Sequence, residues 1–228
     1  MNYPQEGDYI DIHVHGGKPA RGLFILETLM AHEENLPLAL NGVAYTYGIH
    51  PWFLTAENFG EHIEKVKEIT ADEEVIAIGE AGFDKLRGPA FDLQRKAFRE
   101  QVKISESLGK PLIIHCVRSW EEIIGEMKEL KPHMPWMIHG FRGKIQLAEQ
   151  LLSKGFYISI WFDFALRPES SDLIRKIANN MFFLETDGAD VDIRDIYSKV
   201  AKDLDINTEE LKRRLSDNYK KFFSVRNE

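Results

Sequence analysis

Two histidines separated by one residue, in the segment Asp11-Ile12-His13-Val14-His15, close the first apolar run of this chain. In an extended strand side chains alternate between faces, so His13 and His15 project together from the strand end. Two imidazoles so placed can grip one metal ion. Further ligand types stand at the carboxyl ends of later apolar runs: Glu80, His115, His139 and Asp187. One His-x-His segment is weak evidence. Six metal-type ligands at matching ends of five strands form the pattern of a metal-dependent hydrolase.

Imidazole nitrogen and carboxylate oxygen suit Zn, Mn, Fe or similar ions better than Ca, and the candidate divalent ions are Zn, Mn, Mg or Fe. A single catalytic ion typically takes three protein ligands plus water. Six ligands therefore point to two divalent metal ions sharing a carboxylate. A pair about 3.5–4 Å apart can lower the pKa of a bridging water and polarise a scissile oxygen together. Asp187 and Glu80 are the candidate catalytic groups, with Asp187 both a ligand and a general base through a water it orients. Glu80 follows a strand glycine, and a carboxylate favoured by a helix N-terminus is its alternative reading.

Other polar residues are less sharply drawn. His50 is held by the following Pro51, and a structural hydrogen bond and a substrate contact are equally open for it. Asp84, Arg118 and Arg142 are candidate substrate-binding groups. Arginine suits bidentate phosphate binding, although a solvated surface position is the default for each. His32, His62 and His133 read as surface residues. Trp52, Trp120, Trp136 and Trp161 read as core or rim packing, with Trp161 able to flank the mouth.

The elements that position these groups alternate. Strands are expected at Tyr9–Val14, Leu23–Leu29, Val43–Ile49, Glu74–Gly79, Pro111–His115, Trp136–His139, Phe156–Ile160 and Met181–Thr186. Helical spacing of apolar residues marks Phe91–Leu108, Ser119–Leu130, Lys144–Lys154, Asp172–Ala178, Asp192–Leu204 and Thr208–Phe223. Gly109 is the expected C-cap of the first of these, and Ser119 with Glu122 has capping-box spacing. Such alternation gives right-handed βαβ units and a parallel sheet, and the nearly continuous apolar strands fit a sheet covered on both faces. Eight parallel strands close into an α/β fold, the (β/α)8 TIM barrel. The stretches after strands one and two leave no room for a full helix, so those two outer helices are expected to be missing or vestigial.

The chain has 228 residues and is 43% hydrophobic, enough for one barrel domain over 1–228. Its formal net charge of −8 argues against a broad basic surface for gripping nucleic acid. It does not exclude a phosphoester substrate, because bound cations reverse the local potential. A single cysteine, Cys116, permits no internal disulfide, and the opening residues carry no signal-peptide pattern. A cytoplasmic protein with no membrane partner is the expectation. Missing outer helices would also expose apolar strand backs, inviting a homodimer or local cover by the irregular loops.

The motif set resembles the TatD family of metal-dependent hydrolases, within the amidohydrolase-like barrels. The resemblance runs through most of the chain. Asp-Ile-His-Val-His (11–15) looks like the family's opening His-x-His segment, and Gly-Ile-His-Pro (48–51) like its Gly-x-His-Pro signature. Gly-Glu-Ala-Gly-Phe-Asp (79–84) is similar to Gly-Glu-x-Gly-Leu-Asp. Gln94, Phe98 and Gln101, then Pro111 to Arg118, resemble the Gln-x3-Phe-x2-Gln helix and the Pro-x-x-x-His-x-x-Arg segment. His139-Gly140-Phe141-Arg142-Gly143, Glu185-Thr186-Asp187 and the Asn218 to Phe223 ending complete it.

The resemblance implies one metal on His13, His15, Glu80 and Asp187, and another on Glu80, His115 and His139. It implies nuclease or phosphodiesterase activity, with DNA ends or single-stranded DNA as the partner. Against the family pattern both early helices are curtailed, the stretch after Asp187 is short, and Gly140 stands where Cys is common. These departures fall on the substrate rim rather than on the ligands. The leading expectation is therefore a two-metal phosphoester hydrolase. An amidohydrolase or lactonase acting on carbonyls, and a catalytically inert metal-binding barrel, are the alternatives.

Overall fold

The computed structural model describes residues 3–177 and 181–224. Eight strands, β1 (Tyr9–Val14), β2 (Leu23–Met30), β3 (Val43–Gly48), β4 (Val75–Asp84), β5 (Leu112–Val117), β6 (Trp136–Phe141), β7 (Tyr157–Ile160) and β8 (Phe182–Leu184), pair in parallel in chain order. They form a nearly closed (β/α)8 barrel. The helices are α1 (Phe59–Ile69), α2 (Phe91–Leu108), α3 (Trp120–Leu130), α4 (Ile145–Ser153), α5 (Phe162–Leu166), α6 (Ser171–Ile177), α7 (Ile193–Asp203) and α8 (Thr208–Phe223).

Alternation along the strands sorts the apolar residues into two layers. Ile10, Ile12, Phe24, Leu26, Ala44, Ile76, Ala77, Ile113, Met137, Tyr157 and Phe183 come from all eight strands and form one buried cluster, the barrel interior. Tyr219 and Phe222 of α8 belong to the same cluster, so α8 plugs the barrel floor. The Tyr219 ring meets Phe24 at 5.3 Å, and Phe222 meets Tyr157 at 4.8 Å. The intervening strand residues, Ile25, Tyr45, Ile78, Ile114 and Ile138 among them, pack outward in a larger cluster that includes the apolar faces of the helices.

No strand ladder joins β1 to β8 among the described residues. Side chains and loop amides close that seam instead. The Tyr197 hydroxyl of α7 accepts from Ile10 N and donates to Ile10 O, both at 3.0 Å. Asp11 accepts from Thr186 N at 2.9 Å and from the Thr186 hydroxyl at 2.6 Å. Asp187 N donates to His13 O at 3.0 Å. Burial pushes the Asp11 carboxyl up to about 7.

No helix follows β1 or β2, as the sequence implies. The strand backs are nevertheless covered. Ile25, Val43, Tyr45 and Tyr47 are all buried, and α7 and α8 lie over β1, with Tyr197 edge-on to Tyr9 at 5.0 Å and Lys212 above the same ring at 3.9 Å. Leu36, Leu38 and Leu40, in the irregular segment between β2 and β3, are among the large apolar residues left exposed.

Several local expectations are corrected. Strand β4 runs on to Asp84, so Glu80 lies within it, not after it. Strands β5 and β6 likewise continue past His115 and His139. Ser119 makes no cap bond; its hydroxyl donates to Val117 O, and Glu122 pairs with Lys85. His62 is buried rather than on the surface, because α1, a helix not anticipated, turns it inward with Ile63 and Val66. The expected helix end at Ala178 lies outside the described residues. No helix among the described residues is long and apolar enough to cross a membrane.

Candidate metal centre

The ends of six strands bring the polar groups together at one mouth. His13 and His15 stand 5.0 Å apart, ring to ring, at the end of β1. Their Nε2 atoms both face Glu80 Oε2, at 3.5 and 3.6 Å, and Asp187 Oδ1, at 3.4 and 3.6 Å. The other Glu80 oxygen, Oε1, faces His115 Nδ1 at 2.8 Å, His139 Nε2 at 2.6 Å and His50 Nε2 at 3.3 Å. Glu80 thus turns one oxygen to each of two ligand groups.

The first group fits a cation in detail. Ligand atoms about 2.1 Å from a tetrahedral ion stand about 3.4 Å apart, which matches the four separations around His13 and His15. His13 Nε2 is buried without a hydrogen-bond partner, and the Thr28 hydroxyl lies 3.2 Å from His13 Nδ1. With its proton on Nδ1, directed at Thr28, the ring leaves an Nε2 lone pair for metal. In the second group His115 and His139 have a matching 3.5 Å separation, while their contacts with Glu80 are at hydrogen-bond distance. Here His115 Nε2 faces Asp84 Oδ2 at 3.2 Å, a carboxylate that orients the ring so that Nδ1 faces the centre.

The tautomer of His50 separates it from these ligands. Its Nδ1 accepts a bond from Trp52 N at 3.1 Å, and burial lowers its pKa. A neutral ring accepting at Nδ1 carries its proton on Nε2. His50 therefore presents an N–H to Glu80 and the mouth, although it is spaced to join a metal-holding group with Glu80 and His115.

Electrostatics set the protonation of the rest. Burial alone would raise Glu80, but His139, His115 and His13 outweigh it and hold the carboxyl well below its ordinary range. Burial likewise works against charge on His13 and His115. Asp187 and Glu80 outweigh it at His13, Glu80 and Asp84 at His115, and both imidazoles are raised. His139 is driven down to about 4, chiefly by burial. Asp187 stays low despite burial because the His13 imidazole beside it favours the charged carboxylate, and its backbone φ is +52°. Gly188 follows with φ +72°, where a Cβ would sit 2.9 Å from His15 O, so only glycine lets this turn close against β1.

The candidate substrate residues divide. Asp84 is buried with both oxygens engaged: Oδ1 by Leu86 N and Arg87 N, Oδ2 by Trp52 Nε1 and His115. It is built into the centre's support, not its open face. Arg118 is exposed with φ +51°. Arg142 is exposed and lies 3.6 Å over the Trp161 ring.

Sequence reasoning gave no role to much of the supporting layer. Gln94 and Gln101, quoted above only as part of a motif, project from one face of α2 as backbone clamps. Gln94 bonds both Asp84 N and Asp84 O, and Gln101 bonds both Ile49 N and Ile49 O. Their seven-residue spacing, two helical turns, was the available signal. Glu185 is fully buried, accepts from Gly140 N and the Ser159 hydroxyl, and is raised to about 8 by burial. Glu27 accepts from Gly16 N and Gly17 N and pins the turn after His15. Nothing in local spacing marks these two.

Comparison with known proteins adds the lineage. The family model for TatD related DNase matches residues 23–224. An uncharacterized metal-dependent hydrolase of Buchnera aphidicola is 34% identical over 161 residues, 64% of this chain and 59% of that protein. The deoxyribonuclease Tat-D of Schizosaccharomyces pombe is 25% identical over 177 residues, 71% of this chain and 57% of that protein. The chain thus spans less than three-fifths of the length of both of these curated relatives. The crystal structure of a TatD homologue from Escherichia coli shares the fold with a TM-score of 0.78, covering 96% of this chain and 99% of that one at 20% identity. With a family match across most of its length, the chain belongs to the TatD family of metal-dependent hydrolases.

Proposed function

We propose that this chain hydrolyses phosphodiester bonds, those of DNA included, with two divalent cations on opposite oxygens of Glu80. The observation that carries the reading is the division of Glu80 between two ligand groups. His13, His15, Glu80 Oε2 and Asp187 Oδ1 would hold one cation. Glu80 Oε1, His115 and His139 would hold the other. Such a pair supplies an activated water and neutralises charge on the phosphoryl oxygens.

The chain's own groups do the rest. Asp187 Oδ1 faces the two imidazoles, and the carboxylate, held in its charged form, would take the proton of the attacking water. The water oxygen bonds to phosphorus, the ester P–O bond breaks, and the leaving oxygen recovers a proton from Asp187 or solvent. The His50 N–H faces Glu80 Oε1 at 3.3 Å, and turned to an entering phosphoryl oxygen it would be a donor that strengthens as charge develops. The exposed guanidinium groups of Arg118 and Arg142 stand ready for flanking phosphates.

The test is purified protein with Mn²⁺, Mg²⁺ or Zn²⁺ against bis-p-nitrophenyl phosphate and single-stranded DNA. Hydrolysis should appear with metal and vanish in both Glu80→Ala and His115→Ala. Activity that survives both substitutions sinks the site. A parallel panel of esters and lactones, turned over where the phosphodiesters are not, would assign carbonyl hydrolysis instead.

A further inference from the structure

Three imidazoles at the centre have a partner on the nitrogen that faces away from Glu80. The Thr28 hydroxyl lies 3.2 Å from His13 Nδ1, Asp84 Oδ2 lies 3.2 Å from His115 Nε2, and Trp52 N donates to His50 Nδ1 at 3.1 Å. His139 differs. Its Nδ1 is buried without a hydrogen-bond partner, and the carboxylate oxygen it faces, Glu185 Oε1, stands 3.9 Å away.

Glu185 is fully buried just past β8, and it reaches over β7 to β6. The Ser159 hydroxyl of β7 donates to its Oε2, and Gly140 N of β6 donates to its Oε1 at 2.7 Å. Among the described residues it pairs with no lysine or arginine, and His139 is its one ion-pair neighbour. A carboxylate taken wholly out of water needs donors or charge to offset the loss. Oε1 carries two lone pairs and Gly140 N occupies one, which leaves capacity for a second donor.

The tautomer of His139 decides when that donor arrives. His139 Nε2 is 2.6 Å from Glu80 Oε1, and against a carboxylate the ring proton stands on Nε2. Nδ1 is then bare. A bare nitrogen repels a carboxylate oxygen, which accounts for the 3.9 Å gap to Glu185. A cation on His139 instead needs the Nε2 lone pair. The neutral ring has a single proton, which must then sit on Nδ1, where it faces Glu185 Oε1.

We propose that Glu185 is a positioning residue of the metal centre: it accepts the Nδ1–H of His139 once a cation takes Nε2, and so locks the ring in the tautomer that serves as a ligand. Through Gly140 N the same carboxylate holds the main chain directly after His139, so ring and backbone are fixed from one point. The proposal rests on the reading that His139 holds a cation, and it is independent of which ester is cleaved. A carboxylate on the far nitrogen of a ligating imidazole orients the ring and raises its basicity, and losing it typically costs about 10–100-fold in metal affinity.

The test reads protons and binding rather than turnover. Protein carrying isotope-labelled histidine is followed by NMR with and without Zn²⁺, and the His139 ring is identified by its loss in His139→Gln. On loading, the ring proton should move from Nε2 to Nδ1 and exchange slowly with solvent. Zinc affinity is measured by competition with a chelating dye. Glu185→Leu, which fills the space and removes the acceptor, should lose the slowly exchanging proton and weaken zinc binding about 10–100-fold. Glu185→Gln, which keeps a carbonyl for Gly140 N and His139, should retain the proton and recover most of the affinity. A role confined to the Gly140 bond would lower Tm in Glu185→Leu without changing exchange at Nδ1, and that result overturns the proposal. So does an Nδ1 proton in the loaded parent that exchanges as fast as a free imidazole's, a measurement that needs no variant to fold. A His139 ring whose nitrogens do not respond to Zn²⁺ overturns instead the reading beneath, that His139 is a ligand.

Discussion

Replacing Tyr197 with Phe removes one oxygen from the point where β1 lacks a strand partner. That hydroxyl satisfies both Ile10 N and Ile10 O, and the residue is completely buried. Burial holds its pKa above the ordinary phenol range, so the hydroxyl stays a donor at any pH the fold survives. Phenylalanine keeps the ring's contact with Tyr9 but leaves an amide and a carbonyl unpaired in the interior. Each orphaned group costs about 1–3 kcal/mol, and the variant recovers part of this by no longer burying a hydroxyl. The net loss should be about 2–4 kcal/mol. In a chain of this size each kcal/mol moves the midpoint by about 2–4 °C, so Tm should fall by about 5–15 °C. Urea unfolding gives the free energy, and amide exchange at Ile10 reports the site itself. A loss below about 0.5 kcal/mol with Ile10 protection intact would refute the argument, because Asp11 and Thr186 would then suffice to shut the barrel.

Three further outcomes are expected. Metal analysis should show about one equivalent lost in Asp187→Asn or His115→Ala and both lost in Glu80→Gln, and a Glu80→Gln protein that keeps both ions would remove the bridging role. Without a cation His13 and His115 have raised pKa values, so loading must expel their protons, and affinity should climb as pH rises above 6.5; calorimetry in two buffers counts the protons, and an affinity flat from pH 6 to 8 would contradict the shifts. Gln101→Ala should lower turnover several-fold and stability by about 1–3 kcal/mol, by freeing both backbone groups of Ile49 next to His50; turnover and Tm equal to the parent's would show that β3 holds His50 unaided.

What was legible in the sequence was what repeats or alternates. The eight strands and six of the helices follow from apolar periodicity, and the ligand histidines lie in the carboxyl-terminal halves of strands, or just past them, where the barrel must gather them. The boundaries failed where chemistry overrode composition: β4 continues through Gly79 and Gly82 because Gly82 packs where a Cβ would lie 2.0 Å from His115 O, although glycine reads as a strand stop. Helix α1 escaped notice, and with it the burial of His62. The supporting layer was the least visible part. Thr28, Glu27 and Glu185 act across strands, and their pairing depends on register rather than on any local pattern. Asp84 illustrates the limit: its place near the mouth was readable, while its two occupied oxygens were not.

The floor of the barrel has a consequence for how the molecule is made. Its interior is finished by Tyr219 and Phe222, while the other walls of the same cluster begin at Ile10. The cavity inside the strands cannot dry until α8 arrives from the far end of the sequence. During synthesis all eight strands emerge before the stopper that seals them, and they wait with their inner apolar faces wet. Folding gated by contacts so distant along the chain is slow and exposed to aggregation. The last helix therefore sets the clock for the whole barrel, and a change at Phe222 should delay maturation even where the finished metal centre is untouched.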